Sequence, residues 1–218
     1  MTAPLPDPAA PLDAVSFDAV VLAGGASRRM GGGDKTRLAV GALTLLDRVL
    51  TAVADARVRI VVGDERSTAI PVHWTREEPA GGGPVAALAA GLRLVTADVT
   101  VLLAADLPLI DSTTVAALVS AIARDGAADG STESHRDGST AGHRDGTVLG
   151  DDTGQPQWLC GAWRTASLRR LVAARPDVQG MALRRLFGDA AYDIISVDGR
   201  PWFDCDTPDD LARAKEIG

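Results

Sequence analysis

Aromatic residues, cysteines and long apolar runs are scarce in this chain of 218 residues, and each scarcity excludes a class of protein. Phe, Trp and Tyr make up 4% of the residues, so the core must be built mostly from Val, Leu, Ile and Ala. The two cysteines, Cys160 and Cys205, lack metal-ligand spacing and are too few for a disulfide scaffold, which favours a reduced cytoplasmic protein. The sequence contains no apolar run long enough to span a membrane.

Basic residues are also fewer than acidic residues. The chain holds 22 Lys and Arg against 29 Asp and Glu, a formal net charge of -7. Because nucleic-acid binding draws most of its affinity from phosphate neutralisation, this balance argues against a general nucleic-acid-binding protein. It is compatible with one small anion held by a local basic loop. Residues 1–15 contain four prolines and no basic segment, so we predict a flexible leader there rather than a signal peptide.

Short apolar runs alternate along the chain with segments of helical spacing. Three runs have the length and composition of buried strands: residues 19–23, 59–63 and 99–104. Three segments with apolar residues at helical spacing follow them: residues 43–54, 85–95 and 113–123. This alternation predicts an α/β fold with a mostly parallel sheet. In such sheets ligands bind at the carboxyl ends of the strands.

One segment breaks the alternation. Residues 126–154 are rich in Gly, Ser, Thr and Asp, and they contain a duplication in which residues 131–138 resemble residues 139–146. Such a composition cannot bury enough apolar surface to offset the entropy lost on ordering. Two of the chain's three histidines lie in the repeat, so a metal-binding repeat is the alternative to a flexible insertion. We predict a single domain over residues 16–218 with a low-complexity insertion at about residues 126–154.

The segment directly after the first predicted strand, residues 22–35, combines glycines with cations. Glycines here let the backbone approach a ligand and turn its N–H groups toward it. Arg28, Arg29 and Lys35 place three positive charges around the loop of an otherwise acidic protein, which suits a polyphosphate. The loop is not a Walker A sequence, since Asp34 precedes the lysine. It is not a dinucleotide fingerprint either, since no window reads G-x-G-x-x-G.

Four segments occur in the same order as the motifs of one known family. Residues 22–35 resemble its L-A-G-G-x-S-x-R-M-G-x-D-K motif, and residues 78–88 resemble its E-P-x-G-G-G-P-x-A-x-L motif. Residues 103–108 are similar to L-x-x-D-x-P, and residues 204–211 to D-x-D-T-P-E-D-L. The family is that of the molybdenum cofactor guanylyltransferases, or MobA-like NTP transferases. Related sugar-nucleotide and isoprenoid enzymes read L-A-A-G, where this chain has Gly24.

The resemblance implies both a fold and a reaction. The fold is a Rossmann-like three-layer sandwich of the nucleotide-diphospho-sugar transferase type. In the reaction, a terminal phosphate of molybdopterin attacks the α-phosphorus of GTP, pyrophosphate leaves, and the guanine dinucleotide cofactor forms. The implied cofactor is Mg²⁺, and the implied protein partners are other proteins of molybdenum cofactor biosynthesis or acceptor molybdoenzymes. Two alternatives stay open: a cytidylyltransferase or related transferase with another phosphate acceptor, and a nucleotide-binding protein without turnover.

Three residues are candidates for catalysis: Lys35, Arg28 and Asp106. Lys35 and the glycine loop would hold phosphates, and Arg28 would stabilise charge on the leaving pyrophosphate. Asp106 follows a predicted buried strand and precedes a proline, so its carboxylate is expected at the strand's carboxyl end. Mg²⁺ prefers one or two carboxylates together with substrate phosphate oxygens, which makes Asp106 the first metal ligand and Asp204 the second. Asp206 adjoins a Thr-Pro pair and is interpreted as part of a helix cap.

The resemblance also implies a set of nucleotide-binding residues: Leu22, Ala23, Gly24, Gly25, Lys35, Asp64, Glu78, Gly83 and Asp106. Two positions depart from the family pattern or leave it undecided. Gly63 stands where well-known members carry an Asn after the second strand, and Asp64 is the nearest substitute. An acid that contacts the base is expected near residue 77, and the alignment does not choose between Glu77 and Glu78.

Overall fold

A computed structural model describes residues 15–24, 38–128 and 144–217. The predicted leader therefore lies outside the described residues, apart from its last position. In chain order the elements are β1 (Phe17–Leu22), β2 (Ala39–Val40), β3 (Leu43–Thr44), α1 (Leu45–Ala52), β4 (Arg59–Val62), β5 (His73–Thr75), α2 (Gly83–Leu92), β6 (Val99–Ala104), α3 (Ser112–Ala128), β7 (Gly146–Gly150), β8 (Pro156–Arg164), α4 (Thr165–Ala173), α5 (Leu183–Phe187), β9 (Tyr192–Ile195) and α6 (Pro208–Ile217).

Seven of the strands form one sheet in the order β5-β4-β1-β6-β8-β7-β9. Strand β8 runs antiparallel to β6 and β7, and the other neighbouring pairs are parallel. All six residues of β1 are buried, as expected for a strand covered on both faces. Successive side chains of a strand face opposite sides, so Ala19 and Val21 join one apolar cluster while Val20 and Leu22 join the other. The predicted α/β fold with a mostly parallel sheet is confirmed.

Helices cover both faces of this sheet and complete three layers. Residues of α1 and α3 pack on one face, among them Leu46, Leu50 and Leu118. Residues of α2, α4 and α5 pack on the other face, among them Leu88 and Leu168. The three-layer sandwich implied by the resemblance is therefore present. None of the helices in the described part of the chain has both the length and the apolar character needed to cross a membrane.

A third, smaller apolar cluster joins the β2–β3 hairpin to the end of the chain. Its buried members are Val40, Leu45, Cys205 and Ala214. Both cysteines are free and buried. Burial raises the pKa of the Cys160 thiol to about 12. The cluster matters for the site, because it holds the segment around Cys205 beside the first helix and the hairpin.

The insertion predicted at residues 126–154 is too long and is corrected by the structure. Helix α3 continues to Ala128, and β7 occupies Gly146–Gly150 with all five residues buried. Val148 and Leu149 are fully buried, and a Cβ at Gly146 would overlap the indole ring of Trp163. The prediction missed this strand because it is short, and its apolar residues change the average composition of the whole segment very little. Residues 129–143, with both histidines of the repeat, lie outside the described residues.

Candidate active site

Strands β1, β4 and β6 end together at one edge of the sheet. Leu22 at the end of β1 is in register with Val62 on one side and Ala104 on the other. The N–H of Ala23 donates to the Val62 carbonyl at 2.9 Å, and the N–H of Ala105 donates to the Leu22 carbonyl at 3.1 Å. The segments that follow β1 and β6 therefore leave the sheet side by side, at the edge where open α/β sheets bind ligands.

The predicted phosphate loop starts at this edge. The structure describes it from Leu22 through Gly24, where an added Cβ would meet none of the described residues within 4 Å. The backbone at Gly24 is thus open to close approach by a ligand. Three predicted nucleotide-binding or catalytic residues lie outside the described residues: Gly25, Arg28 and Lys35.

Three carboxylates meet beside the start of that loop. Asp106, directly after β6, lies with Asp204 and Asp206 so that one oxygen from each falls within 4.8 Å of the others. Asp106 is buried, Asp206 is half-buried and Asp204 is exposed. The N–H of Cys205 donates to the carbonyl oxygen of Asp106 at 3.1 Å. This bond and the burial of Cys205 hold both flanking acids next to Asp106.

Asp206 takes part in the helix cap through its backbone N–H, which donates to a carboxylate oxygen of Asp210 at 3.2 Å. The Thr207 hydroxyl accepts the N–H of Asp210 at 3.2 Å, and an Asp210 carboxylate oxygen accepts the N–H of Thr207 at 2.9 Å. These reciprocal bonds form a capping box without the Asp206 side chain. The Asp206 carboxylate lies in the acidic cluster with Asp106 and Asp204. The alternation Asp204-Cys205-Asp206, an apolar residue between two acids, is the signal that could have revealed it, because extended backbone sends alternate side chains to the same side.

Hydrogen bonding by the Thr207 hydroxyl is the largest of the influences that lower the pKa of Asp210 in this capping box. Hydrogen bonds from the N–H groups of Thr207 and Asp206 and the charge of Arg213 act in the same direction, and partial burial opposes them. Asp210 therefore stays charged at the helix N-terminus, where negative charge is favourable.

The position after β4 is occupied by Gly63 because the chain leaving β1 passes close to it. A Cβ at Gly63 would lie 3.1 Å from the backbone carbon and oxygen of Ala23, closer than ordinary contacts. The Asn expected from the resemblance would have to displace this backbone. The next residue, Asp64, pairs with Arg76 at 2.6 Å, and both side chains are largely exposed. The structure thus places the predicted nucleotide ligand Asp64 in a surface ion pair.

The acids before α2 differ in their surroundings. A carboxylate oxygen of Glu77 accepts the N–H of Gly81 at 3.0 Å, which ties Glu77 into the turn. Glu78 is exposed. Gly81 and Gly83 both take positive φ, +80° and +86°, which a residue with a side chain rarely adopts. The turn ends at α2, whose N-cap carries no side-chain hydrogen bond.

Comparison with known protein families agrees with this arrangement. Residues 19–193 match the family described as MobA-like NTP transferase domain. The chain belongs to this family. The matched range runs from β1 into β9, so it contains Asp106 and the turn before α2. Asp204 and Asp206 lie beyond it, and their place in the site rests on the tertiary structure.

Among curated relatives, this family member is similar to a probable molybdenum cofactor guanylyltransferase from Synechococcus elongatus. The two are 40% identical over 102 residues, which cover 43% of this chain and 52% of that protein. The chain therefore spans about half the length of this curated relative.

Solved structures show the fold over nearly the whole chain. Molybdopterin-guanine dinucleotide biosynthesis protein A from Archaeoglobus fulgidus superposes with a TM-score of 0.62 at 20% identity, covering 92% of this chain and 97% of that one. The 2-C-methyl-D-erythritol 4-phosphate cytidylyltransferase from Thermus thermophilus gives 0.63 at 17% identity, covering 93% and 98%. At such identities the likeness concerns the fold, and it confirms the nucleotide-diphospho-sugar transferase type.

Proposed function

We propose that this chain is a Mg²⁺-dependent nucleotidyltransferase that moves GMP from GTP to molybdopterin. A phosphate oxygen of molybdopterin forms a bond to the α-phosphorus of GTP. The bond from that phosphorus to the oxygen bridging to the β-phosphate breaks, and pyrophosphate leaves with the electron pair. The products are the guanine dinucleotide cofactor and pyrophosphate. Family membership supports nucleotidyl transfer, and the name of the curated Synechococcus relative supports this donor and acceptor.

The single observation that carries the proposal is the acidic cluster beside the end of β1. Asp106 follows β6, and β6 pairs in parallel register with β1, from which the glycine segment continues. Phosphates held by that segment would lie next to the carboxylates of Asp106, Asp204 and Asp206. A divalent metal ion binds carboxylate and phosphate oxygens together, so carboxylates beside bound phosphates support a metal site here.

The acidic cluster fits Mg²⁺ by its donor chemistry. Mg²⁺ prefers oxygen ligands, with carboxylates among them. The cluster offers three carboxylate oxygens that lie within 4.8 Å of one another. Asp106 and Asp204 would hold the ion, with Asp206 as a third oxygen donor. When bound, the ion supplies positive charge that offsets the charge building on the phosphate oxygens during transfer.

Other residues of the chain would handle the nucleotide itself. Lys35 and Arg28, assigned from the sequence, would neutralise the phosphates and the leaving pyrophosphate. The exposed carboxylate of Glu78 would accept hydrogen bonds from the ring N–H and amino group of guanine, a pattern of donors that adenine lacks. Glu77 is the weaker candidate for that role, because its carboxylate already binds the N–H of Gly81.

Pyrophosphate release tests the proposal directly. The protein is incubated with Mg²⁺ and molybdopterin and with GTP, CTP or ATP in turn, and pyrophosphate is measured. We expect release with GTP above that with the other two nucleotides. Faster release with CTP would identify a cytidylyltransferase instead. Nucleotide binding without release, with molybdopterin or any other phosphate acceptor, would indicate a binding protein without turnover.

A further inference from the structure

The middle glycine of the turn before α2 is covered by a residue from a distant part of the chain. Gly82 is buried, although Gly81 before it and Pro84 after it are exposed. A Cβ added at Gly82 would overlap the side-chain carbonyl oxygen Oε1 of Gln179 and would lie 3.1 Å from its Cδ. The side chain of Gln179 therefore lies directly over the α-carbon of Gly82.

Backbone contacts hold the covering turn in place. The N–H of Gly180 donates to the carbonyl oxygen of Gly82 at 2.8 Å, so the two turns are joined by a main-chain hydrogen bond. The N–H of Gln179 donates to a carboxylate oxygen of Asp177 at 2.8 Å, which closes a local Asx turn. Gly180 takes a φ of +65° directly after it. The position of Gln179 over Gly82 is thus set by its own turn as well as by the contact.

The turn of residues 81–83 is flexible by composition, so contacts that order it matter. Three consecutive glycines, residues 81–83, have more conformational freedom to lose than any other tripeptide. The N-cap of α2 is Gly82, which has no side chain to close the turn, and the bond from the Gly81 N–H to Glu77 fixes only the first of the three residues. Ordering this turn when a ligand binds would subtract from the affinity, whereas ordering it beforehand would not.

We propose that Gln179 is a positioning residue for nucleotide binding: by covering Gly82 it holds the turn of residues 81–83 in the shape that the nucleotide meets. The inference rests on the proposed function, in which Glu78 just before this turn contacts the base, and on the assignment of Gly83 to the nucleotide site by the family resemblance. It also accounts for the middle glycine. Gly81 and Gly83 are favoured by their positive φ, and Gly82 is favoured because an added Cβ would lie 2.9 Å from the Cβ of Ala86 and would push aside the end of the Gln179 side chain.

The test compares Gln179→Ala with two other variants. Gln179→Met keeps the length of the side chain and hence the cover over Gly82. Gln155→Ala is a matched control, since Gln155 is an exposed glutamine in the loop before β8. GTP binding is measured by calorimetry, kcat and KM for GTP are measured by pyrophosphate release, and amide hydrogen exchange at residues 81–85 is followed without nucleotide.

We expect Gln179→Ala to weaken GTP binding and raise KM roughly threefold to tenfold, with kcat within twofold of wild type. Exchange at residues 81–85 should become faster in the same variant, and Gln179→Met should restore most of both properties. Gln155→Ala should match wild type.

Three results would overturn the inference. Unchanged exchange together with unchanged GTP affinity in Gln179→Ala would show that the cover does not order the turn. Faster exchange with unchanged affinity would make Gln179 a structural residue only. A wild-type protein that binds no nucleotide would refute the proposed function and this role with it, while the exchange data would still report separately whether Gln179 orders the turn.

Discussion

The backbone N–H of Cys205 donates to the carbonyl oxygen of Asp106 at 3.1 Å. This bond ties the segment after β6 to the segment before α6, two parts of the chain that are far apart in sequence. Because the Cys205 side chain is buried in the small apolar cluster, Asp204 and Asp206 on either side of it are held near Asp106. A main-chain bond and one buried side chain thus assemble the three carboxylates.

Replacement of Asp106 is expected to remove transfer without unfolding the protein. In Asp106→Ala the cluster loses its buried carboxylate, and the charge developing on the phosphates is no longer offset by a well-held metal ion. We expect pyrophosphate release to fall by roughly a hundredfold or more. Circular dichroism should show a folded variant, since the residue lies at a strand end. Asp209→Ala, an exposed acid in the first turn of α6, is the matched control. Near-normal turnover of a folded Asp106→Ala protein would remove this residue from the mechanism.

Substitutions at Asp206 and Thr207 should have different effects, one on metal binding and the other on helix capping. Asp206→Asn removes one negative oxygen from the cluster, so a higher Mg²⁺ concentration should be needed for half-maximal activity. Thr207→Ala breaks the bond to the N–H of Asp210 and should cost about 1 kcal/mol in the free energy of unfolding. Mg²⁺ titration and urea unfolding of both variants check this. The reverse pattern would assign the Asp206 side chain to the helix cap and remove it from the metal site.

The base preference should depend on Glu78 more than on Glu77. Glu78→Gln replaces two acceptor oxygens by one and removes the charge, so KM for GTP should rise by roughly tenfold. Any pyrophosphate release with ATP should change little, since adenine does not present the same donors. Glu77→Gln is expected to act mainly through the turn that it holds by the N–H of Gly81. Steady-state kinetics with both nucleotides decide between the two acids, and an unchanged GTP preference in Glu78→Gln would refute the assignment.

Asp145 is expected to make stability depend on pH in the acid range. Burial acts to raise the pKa of Asp145, but hydrogen bonds from Ser167, the Ala191 N–H and Arg170, with the charge of Arg170, outweigh it and lower the pKa. The Ala191 N–H donates to its carboxylate at 2.9 Å, and Arg170 does so at 2.5 Å. Since the folded pKa is depressed, this carboxylate stabilises the fold above its unfolded pKa of about 4 and loses that effect as pH falls through the folded value.

Unfolding of Asp145→Asn in urea measures this contribution. We expect a loss of about 1–2 kcal/mol in the free energy of unfolding at pH 7, because the Arg170 side chain is 61% exposed and the ion pair itself is screened. The difference from wild type should shrink below about pH 4. Asp189→Asn, whose side chain is 70% exposed in its pair with Arg175, is a control with little expected effect. An equal loss for Asp145→Asn at pH 7 and pH 3 would contradict the assignment.

Two deletions should mark where the insertion ends. Removing residues 131–142 takes out most of the polar repeat, whose composition offers little apolar surface to bury, so the melting temperature should stay within a few degrees. Removing residues 129–146 also takes out Asp145 and the Arg144 carbonyl, which accepts a hydrogen bond from Arg164 at 2.9 Å. That deletion should lower the melting temperature by about 5 °C or more. Equal melting temperatures for the two deletions would show that the start of β7 contributes nothing.

The order of elements and the type of fold could be read from the sequence because burial leaves a local periodicity. The run of residues 19–23 reads as a buried strand, and β1 covers most of it. The box of Thr207 and Asp210 is likewise local, since its two residues are three positions apart and meet within one helical turn. Such signals need no knowledge of the rest of the chain.

The tertiary structure alone decided the contacts between distant segments. Three examples join residues that share no local pattern. Asp206 lies close to Asp106, β7 lies between β8 and β9, and Gln179 covers Gly82. Val148 and Leu149 stand among polar neighbours, and only the sheet beside them makes a buried strand of so short a run. The sequence by itself determined the alternation of buried strands and helices from β1 to α3, because that alternation depends on neighbours along the chain. Which side chains meet at the site depends on how the sheet and its helices pack, and that is settled only when the whole core is assembled.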